Sequence, residues 1–362
     1  MPEKMAVLVL SSQAKNTGST LRAFYLQKYL RHYAITDYIE PPFKSMPFMF
    51  DFILSLFYYF FALMNRRRYD YVVIVKPYPN TVIPALLLLR PRGTKIIIDV
   101  DDLDHGYRGG VLSGVIAIMQ KLLLKTADHV TTHNTELMKM ISEQHPKFKG
   151  KVYMLKQCVD HEVFVKKPAI NTIAAKIKKD HEGKKVLFYT AHLNIACYLE
   201  DILQAFVPLK DTCVLIIGGG GPLLNHYKKM AHRMGLSDSV EFTGNIARGR
   251  IAAYIKAADI CLVYYKDAPV NYYRASMKLR EYLALSSNVV ANSVGEIKDF
   301  KEFLLLSAPS AEAFALKLKQ AVKMKLKENT KASAYIKKEY DWEKEAGKFF
   351  GWLKSSMLRQ LR

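Results

Sequence analysis

Several kinds of chemistry are missing from this chain of 362 residues. Its four cysteines, Cys158, Cys197, Cys213 and Cys261, are scattered and never fall at C-x-x-C spacing. That pattern supports neither a zinc site nor a disulfide framework, and it fits a reducing compartment. Cys213 and Cys261 lie in apolar strand-like runs, where a buried thiol is the ordinary outcome. No G-x-x-x-x-G-K-[ST], G-x-S-x-G or H-E-x-x-H arrangement occurs, which argues against a P-loop ATPase and the common hydrolase motifs. The first apolar run, residues 5–10, is too short for a signal peptide and reads as a strand. Acid is also scarce: 33 Asp and Glu stand against 54 Lys and Arg, a net charge of +21. This excess implies an anionic partner, whether nucleic acid, a phosphorylated small molecule or an acidic membrane surface. Solvated lysines between Lys317 and Lys338 account for part of it. No helix-turn-helix and no aromatic–basic signature appears, so nucleic acid is not expected.

Half of the residues are hydrophobic and 24% are charged, the balance of a globular protein. The length allows two domains, each with its own core. One apolar run is long: residues 47–64, PFMFDFILSLFYYFFALM, followed by Arg66, Arg67 and Arg68. It approaches the ~20 residues that span a bilayer. Asp51 and Ser55 interrupt it, and it leads directly into an apparent strand at 71–75. Three fates stay open: a spanning helix, an interfacial helix with a basic flank, or a buried core helix.

Elsewhere apolar β-branched runs alternate with helical patterns. Strands are expected at 6–10, 71–75, 95–100, 129–132 and 151–155, with helices at 19–30, 81–89, 111–124 and 135–142. A polar, Lys-rich connection, 166–185, precedes a second series of strands at 186–189, 213–217, 239–242, 260–264 and 288–291. Helices at 199–206, 223–234, 251–257 and 275–284 separate them. Runs buried on both faces indicate parallel sheets covered by helices, hence an α/β protein with two Rossmann-like, doubly wound domains. The expected limits are 1–165, 166–340, and a terminal helix at 341–362 that returns to the first domain. Phe349, Leu353 and Leu358 would form that helix's apolar stripe. Ligands in such sheets bind at the C-terminal strand ends, in a cleft.

Four constellations could carry chemistry. In 271–296, a helix bearing Lys278 and Glu281 precedes a strand and a loop containing Gly295 and Glu296. Free amides at the helix start can face a diphosphate, and the carboxylate can hold ribose hydroxyls. An exposed Lys–Glu pair is the bland alternative. The run Gly218 to Gly221 after a strand could admit a phosphate or simply make a tight turn. Thr17, Gly18, Ser19 and Thr20 open the first helix, where Gly18 permits close approach and Ser19 can cap. Asp99, Asp101, Asp102 and Asp104 crowd one strand end, so they could hold a divalent metal or sugar hydroxyls, act as a base, or be solvated loop acids. His133 and His192 lie near strand ends and rank second.

In this order the pieces resemble the family 4 glycosyltransferases of the GT-B fold, most strongly over 186–296. Carrying the likeness are Leu215-Ile-Ile-Gly-Gly-Gly-Gly-Pro222, Ser239-Val-Glu-Phe-Thr-Gly-Asn245, Ala257-Ala-Asp259, Lys278-Leu-Arg-Glu-Tyr-Leu-Ala284 and Ser293-Val-Gly-Glu296. Cys158-Val-Asp160 with Phe164, and Tyr340-Asp-Trp342, resemble the interdomain element and the start of the terminal helix. Glu281 matches the second Glu of the family's E-x7-E motif, while Tyr273 stands where the first would be. His192 and Cys197 stand roughly where the family has Arg and Lys, and neither supplies a permanent cation. A frequent family His falls near Asp101.

The resemblance implies a retaining glycosyltransferase with a UDP- or GDP-sugar donor, no required cofactor and no metal. Catalytic candidates are Asp101, Lys278 and Glu281. Donor contacts would come from Gly18, Ser19, His192, Gly219, Gly220, Asn245, Tyr273, Arg274, Ser276, Lys278, Glu281, Gly295 and Glu296. The apolar 47–64 segment and the basic surface imply a glycan or lipid-linked acceptor and a cytoplasmic, peripheral position on an anionic membrane. Two alternatives accompany this: a non-catalytic sugar-nucleotide-binding protein, and a metal-dependent GT-A transferase using Asp99 and Asp101.

Overall fold

The computed structural model describes residues 4–13, 18–42, 48–101, 110–162 and 169–360. Thr17, Pro47, Asp102, Asp104 and Phe164 lie outside them. The chain divides into two compact units, Met1–Gln157 with Trp342–Arg362, and Cys158–Asp341.

The first unit is one parallel six-stranded sheet in the order β2-β1-β3-β4-β5-β6. Its strands are β1 (Ala6–Ser11), β2 (Ile35–Ile39), β3 (Tyr71–Val75), β4 (Lys95–Val100), β5 (His129–Thr132) and β6 (Val152–Met154). The Tyr-Val-Val-Ile-Val of β3 and the Ile96–Ile98 triplet of β4 are fully out of water, as covering on both faces demands. Strand β2 is absent from the expectations because Ile-Thr-Asp-Tyr-Ile is a half-exposed edge with no apolar run to mark it. Helix α1 (Gly18–Leu30) links β1 to β2, and α2 (Phe48–Met64) links β2 to β3.

Helix α2 bears on two of the three fates of the apolar run. Among the described residues, no helix is long and apolar enough to cross a membrane. Nor is α2 a core helix. Ser55, Tyr59 and Leu63, four residues apart, face inward, and Tyr59 Oη donates to the Ser11 carbonyl. Phe57 and Phe61 are 56% and 70% exposed on another face. After β3, α3 (Pro79–Pro84) passes into a π-turn, Ala85–Leu89, where one uniform helix was expected. Pro84 has no amide to give its own i−4 carbonyl, so the ladder changes pitch there.

Helices α4 (Gly110–Lys125) and α5 (Thr135–Gln144) complete the first part of this unit. A buried fork ties it together. Arg22 of α1 donates through Nε and Nη2 to both oxygens of Asp99, at 2.7 and 3.0 Å. Its remaining capacity goes to the Leu155 and Lys156 carbonyls and the Gln157 amide oxygen. Thr131 adds a bond to Asp99 at 2.6 Å.

The second unit repeats the plan in the order β12-β11-β10-β7-β8-β9. These strands are β7 (Lys185–Thr190), β8 (Cys213–Gly218), β9 (Val240–Gly244), β10 (Ile260–Val263), β11 (Val289–Asn292) and β12 (Leu305–Ser307). Alternation feeds two cores: Leu187, Tyr189, Leu215 and Ile217 enter one, while Val186, Phe188, Val214 and Ile216 enter the other. The expected Lys-rich connection is a correction. It contains helix α6 (Ala169–Asp180), whose Ile170 and Ala174 are buried although interspersed lysines obscure the period. Helices α7 (Leu199–Phe206), α8 (Leu224–Arg233), α9 (Arg248–Ala257), α10 (Met277–Ala284), α11 (Ala311–Lys323) and α12 (Thr330–Glu339) follow.

The last helix, α13 (Trp342–Gln360), belongs to the first unit and packs on α1. Trp342, Ala346, Phe349 and Leu353 are all fully buried, and Ser356 continues their stripe. Leu358 does not: it is 63% exposed, because two further residues rotate the side chain about 200° from Ser356.

Arg22→Met leaves Asp99 buried and missing its fork. Urea unfolding is expected to show a loss of about 3–5 kcal/mol, part of it recovered in Arg22→Met with Asp99→Leu.

Candidate functional site

In the second unit, the C-terminal ends of β7, β8 and β9 carry loops packed closer than side chains allow. A β-carbon on Gly219 would lie 1.9 Å from the Ala191 carbonyl oxygen, and one on Gly220 would lie 2.8 Å from Asn245 Oδ1. The Gly219 amide donates to the Gly244 carbonyl at 2.7 Å, and Gly220 accepts from the Leu193 amide at 2.8 Å. The Gly219 amide is therefore already used, and this glycine serves loop packing. His192 and Asn245 stand exposed on the joined loops.

Helix α10 begins beside them. Ser276 caps it, accepting from the Leu279 amide at 3.3 Å. Its start is fixed by a residue missed in the sequence, Arg280, which is 1% exposed. Arg280 forks onto both oxygens of Glu296 at 2.7 Å, and Glu296 Oε1 also accepts from the Ser276 amide at 2.5 Å. The guanidinium lies over Tyr340, 4.7 Å from the ring centre. Burial opposes its charge, but Glu296 more than restores it and holds its pKa above the usual range. Glu296 therefore presents no unengaged carboxylate for a sugar, contrary to expectation; it anchors α10. No signal in the local sequence singles out Arg280, which lies between Leu279 and Glu281 beside a second cation, Lys278.

Gly295 adopts φ of +57°, and a β-carbon there would meet the Asn271 carbonyl oxygen at 2.5 Å. The turn at Gly295 thus packs directly on the segment before Tyr273. Arg274 is committed too: Nη1 donates to the Ala196 carbonyl and to Asn271 Oδ1, and the guanidinium covers Tyr265 at 4.2 Å. Tyr273 beside it is half-buried.

Lys278 and Glu281 do not pair with each other. Lys278 Nζ sits 4.0 Å from the centre of the Tyr189 ring, with no carboxylate partner among the described residues. Burial, then the Arg274 charge, lower its pKa from the ordinary 10.5 to about 7. Glu281 is 2% exposed and is met by Arg248, from the first turn of α9. Arg248 was missed because it lies outside every motif quoted above.

The first unit carries a second polar cluster, also at C-terminal strand ends. Ser19 Oγ donates to Asp101 Oδ2 at 2.5 Å. Asp101, Lys76 and His133 are each less than a tenth exposed. Burial raises the Asp101 pKa, but Lys76, the Ser19 hydrogen bond, His133 and Arg22 together bring it below the ordinary carboxylate value. Gly18 is exposed at the start of α1 with open space around it. The neighbouring Asp99 has spent both oxygens on Arg22, which removes it as the metal ligand that a GT-A site would need.

Residues 171–339 match the family described as Glycosyl transferases group 1. The matched stretch lies within the second unit. Among curated proteins, an alpha-monoglucosyldiacylglycerol synthase of Streptococcus pneumoniae is 36% identical over 81 residues, 22% of this chain and 18% of that protein. A GDP-mannose-dependent alpha-(1-6)-phosphatidylinositol monomannoside mannosyltransferase of Mycobacterium tuberculosis is 42% identical over 50 residues, 14% of this chain and 13% of its own. The chain therefore spans under a fifth of the length of the curated relatives it matches.

Solved structures share the whole architecture. A sucrose-phosphate synthase from Thermosynechococcus elongatus superposes with a TM-score of 0.79 at 15% identity, covering 99% of both chains. The Anabaena protein HepE, in complex with UDP and glucose, gives 0.73 at 15% identity over 97% of this chain and 100% of its own. The fold is GT-B.

The depressed Lys278 pKa has a measurable sign. With its pKa lowered to about 7, Lys278 takes up a proton when an anion binds beside it above that pH. The Lys278 contribution to pyrophosphate affinity, taken as the difference between parent and Lys278→Met, is expected to be level below pH 7 and to weaken as pH rises above it. Calorimetry in buffers of different ionisation heat checks the uptake, which Lys278→Met should abolish.

Proposed function

We propose that the chain is a retaining glycosyltransferase that moves a sugar from a nucleotide-diphosphate sugar to a glycan or lipid-linked acceptor at a membrane surface. One observation carries the donor half: Glu281 is held one helical turn from the start of α10, with Lys278 beside it and no carboxylate neutralising that lysine among the described residues. In this assignment the ribose hydroxyls bind Glu281. The diphosphate lies at the amides of Met277 and Lys278, where the helix start favours negative charge. Lys278 becomes protonated against the phosphates and stabilises the charge that develops on the departing diphosphate. Arg274 and Glu296 shape the site from behind, while His192, Asn245 and Tyr273 border it. HepE, of the same fold, is seen with UDP-glucose. The donor class, a UDP- or GDP-sugar, accords with that complex and with the GDP-mannose-dependent mycobacterial enzyme.

Asp101 is proposed to meet a sugar hydroxyl, its proton position controlled by Ser19, Lys76 and His133. The acceptor half rests on α2. Its exposed Ile53, Phe57 and Phe61 would enter the acyl boundary of a bilayer, and exposed Arg66, Arg67 and Arg68 would face anionic headgroups. Both curated relatives carry names of enzymes that build glycolipids. A cytoplasmic, peripheral position follows from this proposal.

Glu281→Ala is expected to lower kcat/KM by about 10–100-fold through loss of charged hydrogen bonds to ribose, with the melting curve as a control for folding. Unchanged turnover would remove Glu281 from the site. Replacing exposed Phe57 and Phe61 together by Ser should weaken co-sedimentation with phosphatidylglycerol vesicles by about tenfold or more. Equal partitioning of variant and parent would exclude α2 from the membrane contact.

A further inference from the structure

The glycosyltransferase relatives resembled here usually clamp the donor with cations near the first strand of this unit, where His192 and Cys197 now stand. A permanent cation reaches the donor edge from another direction. Arg248, in the first turn of α9, places Nη2 against Glu281 Oε1 and 3.8 Å from Met277 Sδ. Met277 and Glu281 are four residues apart on α10, so the guanidinium spans the turn from the helix start to the carboxylate. A nucleotide seated with its ribose on Glu281 and its phosphates at the helix start would have to displace this guanidinium. The Glu281 side chain is 3% exposed and that of Arg248 25%, so the arginine has solvent to move through while the carboxylate does not.

We infer that Arg248 is a donor-phosphate ligand, parked on Glu281 in the free protein and passed to the phosphate nearest the ribose when the nucleotide binds. This rests on the assignment of Glu281 to ribose. The exchange conserves charge pairing: Glu281 trades the guanidinium for two ribose hydroxyls, and the guanidinium trades a carboxylate for a phosphate. A nucleoside without phosphate breaks the Arg248–Glu281 pair and gives the guanidinium nothing in return. A nucleotide completes both exchanges. Arg248 therefore makes the site discriminate between a nucleoside and its phosphates more sharply than Lys278 alone would.

The test measures, by calorimetry on the full chain, the affinities of uridine, UMP and UDP and of guanosine, GMP and GDP, using whichever base series the parent binds. In the parent, the monophosphate is expected to bind at least about tenfold tighter than the nucleoside, since it adds a charge-assisted contact. In Arg248→Ala that ratio should collapse toward one, with nucleoside affinity unchanged or tighter because Glu281 is uncovered. Arg248→Lys should restore part of the ratio, and it keeps the test open if the alanine variant melts early. A ratio preserved in both variants, or nucleoside and nucleotide affinities weakened equally, would overturn the assignment and leave Arg248 as a packing partner of Glu281. Glu281→Gln separates the two layers. If it leaves nucleoside affinity intact, or if the parent binds neither series, the ribose assignment itself fails and the arginine exchange falls with it.

Discussion

A single buried ion pair determines where the candidate donor site begins. Arg280 and Glu296 are both almost out of water and are joined by two parallel bonds. Removing such charges from water costs several kcal/mol per ion, and attraction offsets that only with good geometry and further partners. Here Glu296 also binds the Ser276 amide, and Arg280 Nη1 also binds the Ser276 carbonyl. The pair thus grips the capping residue of α10 by both its backbone groups. The first free amides of α10, Lys278 and Glu281 inherit their positions from that grip.

The first unit uses the same device for a different purpose. Arg22 and Asp99 join α1 to β4 and to the chain leaving β6. With Asp99 saturated, Asp101, two residues on, is left with Ser19 and nearby positive charge. The two aspartates at this strand end therefore differ in their partners: Asp99 is forked by Arg22, while Asp101 accepts from Ser19. Each unit spends one Arg–carboxylate fork on framework and keeps a separate acid near the C-terminal strand ends.

Glycine supplies the complementary constraint. Gly219 and Gly295 are not conspicuous as phosphate cradles; they are the points where two backbone segments nearly touch. Their role is to let segments from different strands approach: Gly219 lies against Ala191, and Gly295 against Asn271. The exposed apolar face of α2 follows another logic. Tyr59 bonds to the end of β1 and the helix packs on α3, leaving Phe57 and Phe61 outward.

Much of this was legible in the sequence. Parallel sheets buried on both faces demand continuous apolar runs, so β1, β3, β4, β7, β8 and β10 announce themselves, as do the helices between them. Edge strand β2 and helix α6 do not, since half-exposed elements carry polar residues that blur their period. The candidate residues Ser19, Asp101, Lys278 and Glu281 could be named from their place at strand ends and helix starts. What they touch could not. The partners Arg22, Arg248 and Arg280 come from helices 77, 33 and 16 residues away from the carboxylates they meet. Sequence determines local periodicity, charge and capping, because those depend on neighbours along the chain. Only the tertiary structure decides which arginine meets which buried carboxylate, because in the low-dielectric interior that outcome depends on distances of a few ångströms across the fold.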